Sequence, residues 1–280
     1  MKYLQYIVFL LLFIPHQLRA ENIIFDIFGV LVDVPVCQKI KHIGVADALG
    51  YMFCEGKNIF KIKAKYLSTL AEIPVEEEKL ARCIYSHDTT AQGDIMPNLM
   101  ITWQAGETCY DDALEKVQSH LATRESGYYG KRLLTNISNM TFDLPTRSRI
   151  YRLKRTGVAL LKKLASEKDQ WGQRRHRLFI LSNMDHEMMN FLRATYPKVF
   201  SLFDDVVYSA ATKSLKPHPH IYKTLLTRNH LDPSKCLVFD DQQENIDTAI
   251  ALGMKGLRFH RHIDLHKALR VARLISGPAY

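Results

Sequence analysis

The sequence predicts an α/β protein with a doubly wound parallel sheet, and two observations support this prediction. Short apolar runs recur along the chain, and most are nearly continuous rather than alternating, as expected of strands that helices cover on both faces. Stretches with the spacing of amphipathic helices separate the later runs, which is typical of parallel sheets with helical crossovers. The predicted strands lie at residues 22–27, 177–182, 205–209, 236–240 and 255–259.

One long interval interrupts this alternation. Residues 34–144 follow the first predicted strand, and a simple crossover between strands is much shorter than this. The interval contains stretches with helical periodicity at residues 45–49, 61–70, 76–84 and 111–121. We therefore predict a mainly helical cap domain at residues 34–144, packed over the carboxyl edge of the sheet. Residues 21–33 and 145–280 would form the core domain, with a helix at 158–164 leading back to the second strand.

The first twenty residues differ from the rest of the chain. Lys2 precedes an apolar run at residues 7–14, and a polar stretch ending in Ala20 follows it. A short positive region, a short apolar run and a small residue at the cut site are typical of a secretory signal peptide. A membrane-spanning helix needs about 20 apolar residues, more than this run provides. We expect cleavage after Ala20 and export to the periplasm or medium, with an uncleaved membrane anchor as the alternative.

The charge of the chain favours an anionic partner. The formal net charge is +9, and removal of Lys2 and Arg19 with the signal peptide would lower it by two, to +7. Such a charge favours a small anionic substrate or an anionic surface. No aromatic residues interleave with the basic ones as a base-stacking platform would, so there is no clear nucleic-acid signal. A first basic cluster is expected at solvated positions on or before a helix: Arg147, Arg149, Arg152, Lys154 and Arg155.

Four motifs lie at or shortly after the ends of predicted strands, where ligands gather in open α/β sheets. They read NIIFDIFGVLVD at residues 22–33, ILSN at 180–183, KPHPHIY at 216–222 and VFDDQQEN at 238–245. In order and spacing they resemble the four motifs of the haloacid-dehalogenase superfamily of hydrolases, in the branch with a helical cap inserted after the first motif. The resemblance covers nearly all of the chain after residue 20.

Three residues of these motifs have the chemistry that a covalent hydrolase needs. Asp26 can attack an electrophilic phosphorus or carbon and form a covalent intermediate. Ser182 can donate a hydrogen bond to the transferring group. Lys216 can neutralise clustered negative charge and hold the nucleophile ionised. Lys213 is a nearby alternative for the lysine, but Lys216 has the matching Pro-x-Pro context.

The remaining motif residues predict an anion site and a metal site. Gly29 allows a sharp turn whose backbone N–H groups can point at substrate oxygens, and Asn183 is a second candidate for substrate binding. The carboxylates of Asp26, Asp240 and Asp241 are hard oxygen ligands for Mg2+, and the backbone carbonyl of Phe28 would complete the set. Without a cation, three carboxylates gathered here would repel one another.

One position departs from the superfamily's phosphatases. In those enzymes the residue two positions after the nucleophile is a second Asp, which protonates the leaving group and later activates water. Here that position is Phe28, whose ring cannot transfer a proton. General acid–base catalysis typically contributes about 10²–10⁴-fold to a rate. Hydrolysis of an ordinary phosphate monoester is therefore expected to suffer.

The sequence leaves three functions open. The first is a Mg2+-dependent phosphohydrolase that is slow, specialised for a good leaving group, or served by another acid. The second is a dehalogenase, because halide leaves without a proton, although the pair Asp240 and Asp241 argues against attack at carbon. The third is a protein that has kept the fold but lost turnover, and that binds a phosphate ligand or interacts with a partner. Four aromatic residues of the predicted cap either reach over the site or pack in the core of the cap. They are His87, Trp103, Tyr128 and Tyr129.

Overall fold

A computed structural model describes residues 22–86, 96–125, 127–169, 171–259 and 269–270. Its strands are β1 (Asn22–Phe25), β2 (Val32–Asp33), β3 (Arg152–Leu153), β4 (Arg177–Ser182), β5 (Asp205–Tyr208), β6 (Cys236–Asp240) and β7 (Lys255–Arg258). The predicted signal peptide at residues 1–20 lies outside the described ranges. Within them, no helix combines the length and the apolar character needed to cross a membrane.

Five strands form one parallel sheet in the order β5-β4-β1-β6-β7. The central strand β1 pairs in parallel with β4 on one side and with β6 on the other. The chain adds β4 and β5 on the first side and then crosses over to add β6 and β7 on the second. Such a reversal opens a crevice at the carboxyl ends of the strands. The predicted fold class is confirmed, and the crevice lies where β1 runs into Asp26.

The sheet is buried on both faces because its strands are apolar at successive positions. Ile23 and Phe25 of β1 join one hydrophobic cluster, and Ile24 between them joins another on the opposite face. This alternation is the two-residue period of a β-strand. The covering helices are Arg155–Ser166 and His186–Thr195 on the first face, and Pro219–Arg228 and Gln243–Ala251 on the second. Shorter helical turns lie at Pro197–Phe200, Ser209–Thr212 and Pro233–Lys235.

Between β2 and β3 the described chain is helical, as predicted for residues 34–144. Strands β2 and β3 pair in antiparallel fashion where the chain enters and leaves this helical segment. Ten buried residues between Tyr66 and Phe142 form a hydrophobic cluster of their own. The assignment of a separate cap domain and its boundaries stay predictions. The helices are Val36–Ile43, Val45–Phe53, Ile59–Lys61 (a 3-10 turn), Ile62–Ala71, Glu77–Ala81, Asn98–Gln104, Tyr110–Arg124, Tyr128–Thr141 and Leu144–Ile150.

The first basic cluster is not uniformly solvated, which corrects the prediction made for it. Arg147 is only 1% exposed, and its guanidinium pairs with buried Asp185 and lies over the ring of Trp103. Lys154 is half-buried and donates a hydrogen bond to the carbonyl of Gly29. A buried charge requires a partner, and Asp185 is too distant in the sequence for helical periodicity to reveal it. The members that are exposed as predicted are Arg149, Arg152 and Arg155.

Candidate active site

The four motifs converge on one pocket of about 490 Å³ at the carboxyl edge of the sheet. Asp26 follows β1, Ser182 ends β4, and Asp241 follows β6. Lys216 comes from the loop after β5. All four side chains line the pocket, although the sequence separates the first from the last by more than two hundred residues. Parallel strands bring them together because their carboxyl ends share one edge.

Lys216 is the buried centre of this edge. Its Nζ donates hydrogen bonds to the carbonyl of Leu181 at 3.0 Å and to Oδ2 of Asp240 at 2.6 Å, and it lies 3.1 Å from Oδ1 of Asp26. Burial opposes the charged form, but the charges of Asp240 and Asp26 outweigh it and raise the pKa of Lys216. The alternative, Lys213, pairs instead with Glu107 at 2.8 Å. The structure therefore brings Lys216, and not Lys213, to the predicted nucleophile.

The carboxylates gathered here are short of positive charge. Burial raises the pKa of Asp26 to about 7, with Lys216 opposing the rise and Asp240 and Asp241 adding to it. Burial and the charge of Asp240 also raise the pKa of Asp241 to about 6, against the effect of Lys216. Lys216 is the ammonium group that pairs directly with Asp26 and Asp240, and Lys154 offsets the rise at Asp241 only in part. A metal cation would relieve the remaining repulsion.

The three carboxyl groups can share one ion. Asp26, Asp240 and Asp241 each offer an oxygen that lies within 4.8 Å of the others. Hard carboxylate oxygens are the donors that Mg2+ prefers, and Mg2+ is usually held by only one or two carboxylates. The donor set fits a magnesium ion. The part predicted for the carbonyl of Phe28 stays a prediction, although Phe28 does line the pocket.

The two neighbouring aspartates are not equivalent. Oδ2 of Asp240 binds Lys216, and Oδ1 accepts hydrogen bonds of 2.9 Å from the backbone N–H of Gln242 and from Nδ2 of Asn245. Asp240 is 1% exposed, whereas Asp241 lines the pocket. Asp241 is therefore the more open ligand of the pair. Asp240 holds the lysine and the asparagine in place.

Gly29 makes the turn after the nucleophile possible in two ways. Its φ of 80° lies in the left-handed region that favours glycine. A Cβ atom there would stand 2.4 Å from Cγ of Asp241, so no larger residue fits without displacing that ligand. Its own N–H donates to the carbonyl of Val32 at 2.8 Å. That amide is already used, so the structure assigns Gly29 to shaping the loop, and the predicted donation to substrate does not come from its N–H.

Ser182 is the last residue of β4, and Asn183 follows it. Oγ of Ser182 is buried, lines the pocket and has no hydrogen-bond partner within the described residues, and the nearby hydroxyl lowers the pKa of Asp26. This hydroxyl can therefore donate to Asp26 or to a ligand. Asn183 clamps the backbone of Lys216: its Nδ2 donates to the carbonyl at 2.9 Å, and its Oδ1 accepts from the N–H at 2.7 Å. Asn183 positions the lysine, and its contact with substrate stays a prediction.

The opposite wall of the pocket is mainly apolar. The ring of Phe28 packs on that of Tyr151, with centroids 4.7 Å apart. The only charged side chains on this wall, among the residues described, are Asp33 and Lys39, 3.7 Å apart. The aliphatic and thioether side chains that line the pocket are Val32, Val34, Ile43, Met96, Ile137, Met140 and Ile150.

Of the four aromatic residues that were predicted either to reach over the site or to pack in the core, the three within the described residues do not line the pocket. Trp103 is buried against Phe142 and Arg147, and Tyr128 and Tyr129 are absent from the lining. His87 lies outside the described residues. The sequence reasoning missed Tyr151 and also Asn245, whose helix starts two residues after Asp241. Its position in the first turn of the helix, at the end of the fourth motif, was a usable signal for Asn245, but nothing local distinguished Tyr151.

A sheet of this topology, with a buried aspartate and a lysine at its crossover point, defines an α/β protein whose candidate site lies at the carboxyl edge of the sheet. The model of the haloacid dehalogenase-like hydrolases matches residues 20–253, and the chain belongs to that family. The predicted family and the hydrolase class are thereby confirmed.

Solved structures of the family share the fold. A family enzyme from Bacteroides thetaiotaomicron is 15% identical, with a TM-score of 0.57 over 90% of this chain and 99% of that one. A predicted HAD-like family hydrolase from Porphyromonas gingivalis is 17% identical, with a TM-score of 0.54 over 91% and 98%. The Bacteroides enzyme has also been solved with magnesium and inorganic phosphate, at 17% identity and a TM-score of 0.53 over 89% and 99%.

Proposed function

We propose that this hydrolase is a Mg2+-dependent phosphohydrolase for small phosphorylated substrates whose leaving group departs without a proton. The observation that supports it is the contrast within one pocket. A buried carboxylate cluster with a lysine lies on the sheet side, and the Phe28–Tyr151 ring pair lies where an acid would be needed. The magnesium complex with inorganic phosphate of the Bacteroides thetaiotaomicron enzyme adds support for the choice of ion and substrate.

The first half-reaction needs no proton donor, because the leaving group of the proposed substrates departs without a proton. An oxygen of Asp26 forms a bond to phosphorus while the bond from phosphorus to the leaving oxygen breaks, and the electron pair departs with that oxygen. Lys216 and the hydroxyl of Ser182 stabilise charge on the phosphoryl group. A magnesium ion held by Asp26 and Asp241, with the Phe28 carbonyl, would supply further charge neutralisation.

The second half-reaction is the step whose rate Phe28 should lower most. Water must attack the aspartyl phosphate, and no carboxylate at position 28 removes its proton. Burial raises the pKa of Tyr151, which makes its hydroxyl a poor substitute. The covalent intermediate is therefore expected to accumulate after a fast first step. Asp33, on the same wall, is the remaining carboxyl group that lines the pocket within the described ranges.

A burst experiment tests this proposal. Purified protein is mixed with p-nitrophenyl phosphate in Mg2+, and nitrophenolate is followed from the first turnover. We expect a burst equal to the enzyme concentration and then a slow steady state. Chelation of Mg2+ should abolish both phases, as should Asp26→Asn. An ethyl phosphate substrate should give neither, because ethoxide leaves poorly without a proton.

Other outcomes point to other functions. Equal rates with the aryl and the ethyl ester contradict the leaving-group specialisation, and Asp33→Asn then shows whether that carboxyl is the acid. Halide release from a 2-haloacid without Mg2+ indicates a dehalogenase. Tight phosphate binding without any burst indicates a binding protein that has lost turnover.

A further inference from the structure

Exposed apolar side chains concentrate on one part of the molecule. Of the nine large apolar side chains that are exposed within the described ranges, six lie between residues 36 and 60. Two of them, Phe53 and Phe60, are 78% and 89% exposed. Soluble proteins rarely leave such a group of side chains in water without a function. The six are Val36, Ile40, Val45, Leu49, Phe53 and Phe60.

These side chains lie on three neighbouring elements. In helix Val45–Phe53 the large apolar side chains that are exposed recur every four positions and form one stripe. Its other side is buried through Gly50 and Tyr51, because the backbone at Gly50 packs directly against the ring of Tyr129. Helix Val36–Ile43, which contacts it, has no buried residue at all. The 3-10 turn that carries Phe60 contacts helix Val45–Phe53 as well.

The charge on this part of the surface is positive. The only acidic residues between positions 36 and 65 are Asp47 and Glu55. Asp47 is 7% exposed and pairs with Arg132 at 2.8 Å, and Glu55 accepts the backbone N–H of Tyr129 at 2.7 Å. Both carboxylates thus turn towards helix Tyr128–Thr141. The lysines Lys41 and Lys61 remain exposed beside the apolar residues.

We propose that this apolar-basic face, defined by the six apolar residues with Lys41 and Lys61, docks the protein onto an anionic lipid surface. Protruding aromatic and aliphatic side chains enter the interfacial region of a bilayer, and neighbouring lysines bind anionic headgroups. A second copy of the chain is a poorer occupant, because a two-fold interface would bring the same lysines together. Docking through this face would not depend on the proposed catalytic reaction or on residues 1–21.

Docking in this way would bring the pocket close to the lipid headgroups. Lys39 and Ile43 belong to the same helix as Val36 and Ile40, and both line the pocket. Positions 36, 39, 40 and 43 fall on one side of this short helix, so the apolar-basic face continues directly into the rim of the pocket.

Vesicle sedimentation of the full chain tests the proposal. Vesicles of phosphatidylcholine alone are compared with vesicles of phosphatidylcholine and phosphatidylglycerol in a three-to-one ratio. We expect wild-type protein to sediment with the anionic vesicles and to be released by salt. The triple variant Leu49→Ser, Phe53→Ser, Phe60→Ser should bind at least about tenfold more weakly, since it loses most of the inserted apolar area. Lys41→Glu with Lys61→Glu should weaken binding by at least about tenfold, because two charges that attract anionic headgroups are reversed.

Matched variants elsewhere keep the result specific. Trp171→Ser with Ile250→Ser removes equally exposed apolar side chains, and Lys162→Glu with Lys163→Glu reverses equally exposed charges. Both controls should bind like wild type, and circular dichroism checks that every variant is folded. The proposal is overturned if wild type ignores anionic vesicles, or if the controls weaken binding as much. Unchanged binding of the triple variant would also overturn it and would indicate attachment through the apolar run at residues 7–14. So would a triple variant whose only change is the loss of a dimer, measured by analytical ultracentrifugation.

Discussion

The two sides of the pocket differ in the kind of chemistry they can perform. On the sheet side, Asp26, Lys216 and Asp240 form a buried and interconnected set of charges. On the opposite side, Phe28 packs on Tyr151 among aliphatic side chains. The first side can bind and polarise an anion, whereas the second offers apolar surface and little that transfers a proton. The difference supports the proposal of a site that stabilises charge and transfers protons poorly.

The two sides also differ in how they are built. The charged side is fixed by neighbouring parallel strands, and Asn183 additionally clamps the backbone of Lys216. The apolar side combines the loop after β1 with helices of the segment between β2 and β3. Changes on the apolar side should therefore alter selectivity, and changes on the charged side should alter turnover itself. The predictions below test this division, from the largest expected effect to the smallest.

The largest effect is expected where the apolar side receives a proton donor. We expect Phe28→Asp to raise the turnover of ethyl phosphate by about 10²–10⁴-fold, the usual contribution of a general acid. The rate with p-nitrophenyl phosphate should change far less in the first half-reaction, because its leaving group needs no proton. Stopped-flow and steady-state rates measure both. Phe28→Asn is the control, since it has the size of aspartate without the acid; an equal gain in this variant would contradict the explanation.

On the charged side, the lysine should be essential. We expect Lys216→Met to lower turnover by about 10²–10³-fold, the effect of removing one preorganised charge from the transition state. It should also lower the free energy of unfolding by about 3–5 kcal/mol, because Asp26 and Asp240 lose their buried partner. The matched control is Lys213→Met, which breaks a partly exposed pair with Glu107 worth at most about 1 kcal/mol. A similar loss of turnover in both variants would disprove the special place of Lys216.

A smaller effect is expected at the loop that joins the two sides. Gly29→Ala introduces a Cβ atom against Asp241 and strains a left-handed residue, so Mg2+ affinity should fall about tenfold, equivalent to about 1.4 kcal/mol. Gly56→Ala is the control, because its φ of 63° gives similar backbone strain with no atom within 4 Å of the new Cβ. Titration calorimetry measures the affinity of each variant. Unchanged affinity in Gly29→Ala would show that Asp241 moves freely or binds no metal.

Much of the fold and the charged side could be predicted from the sequence because the signals are local. The apolar runs predicted all five strands of the parallel sheet to within two residues at their ends. Asp26, Ser182 and Asp241 were found because they end or follow such runs, and parallel strands carry their carboxyl ends to one edge. The aromatic residue in place of an acid was equally visible, since it stands two positions from the nucleophile.

Other features depend on contacts between distant positions, which only the tertiary structure decides. Arg147 was expected in solvent, yet it is buried because Asp185 and Trp103 meet it from elsewhere in the chain. The turn at Gly29 was expected to direct backbone N–H groups at an anion, yet the N–H of Gly29 itself donates to the carbonyl of Val32. The sequence by itself determined which residues carry charge at the strand ends, because strand order and residue type are encoded locally. Packing decided which of those groups remain open to a ligand, since hydrogen bonds and burial are completed by partners far away in the chain.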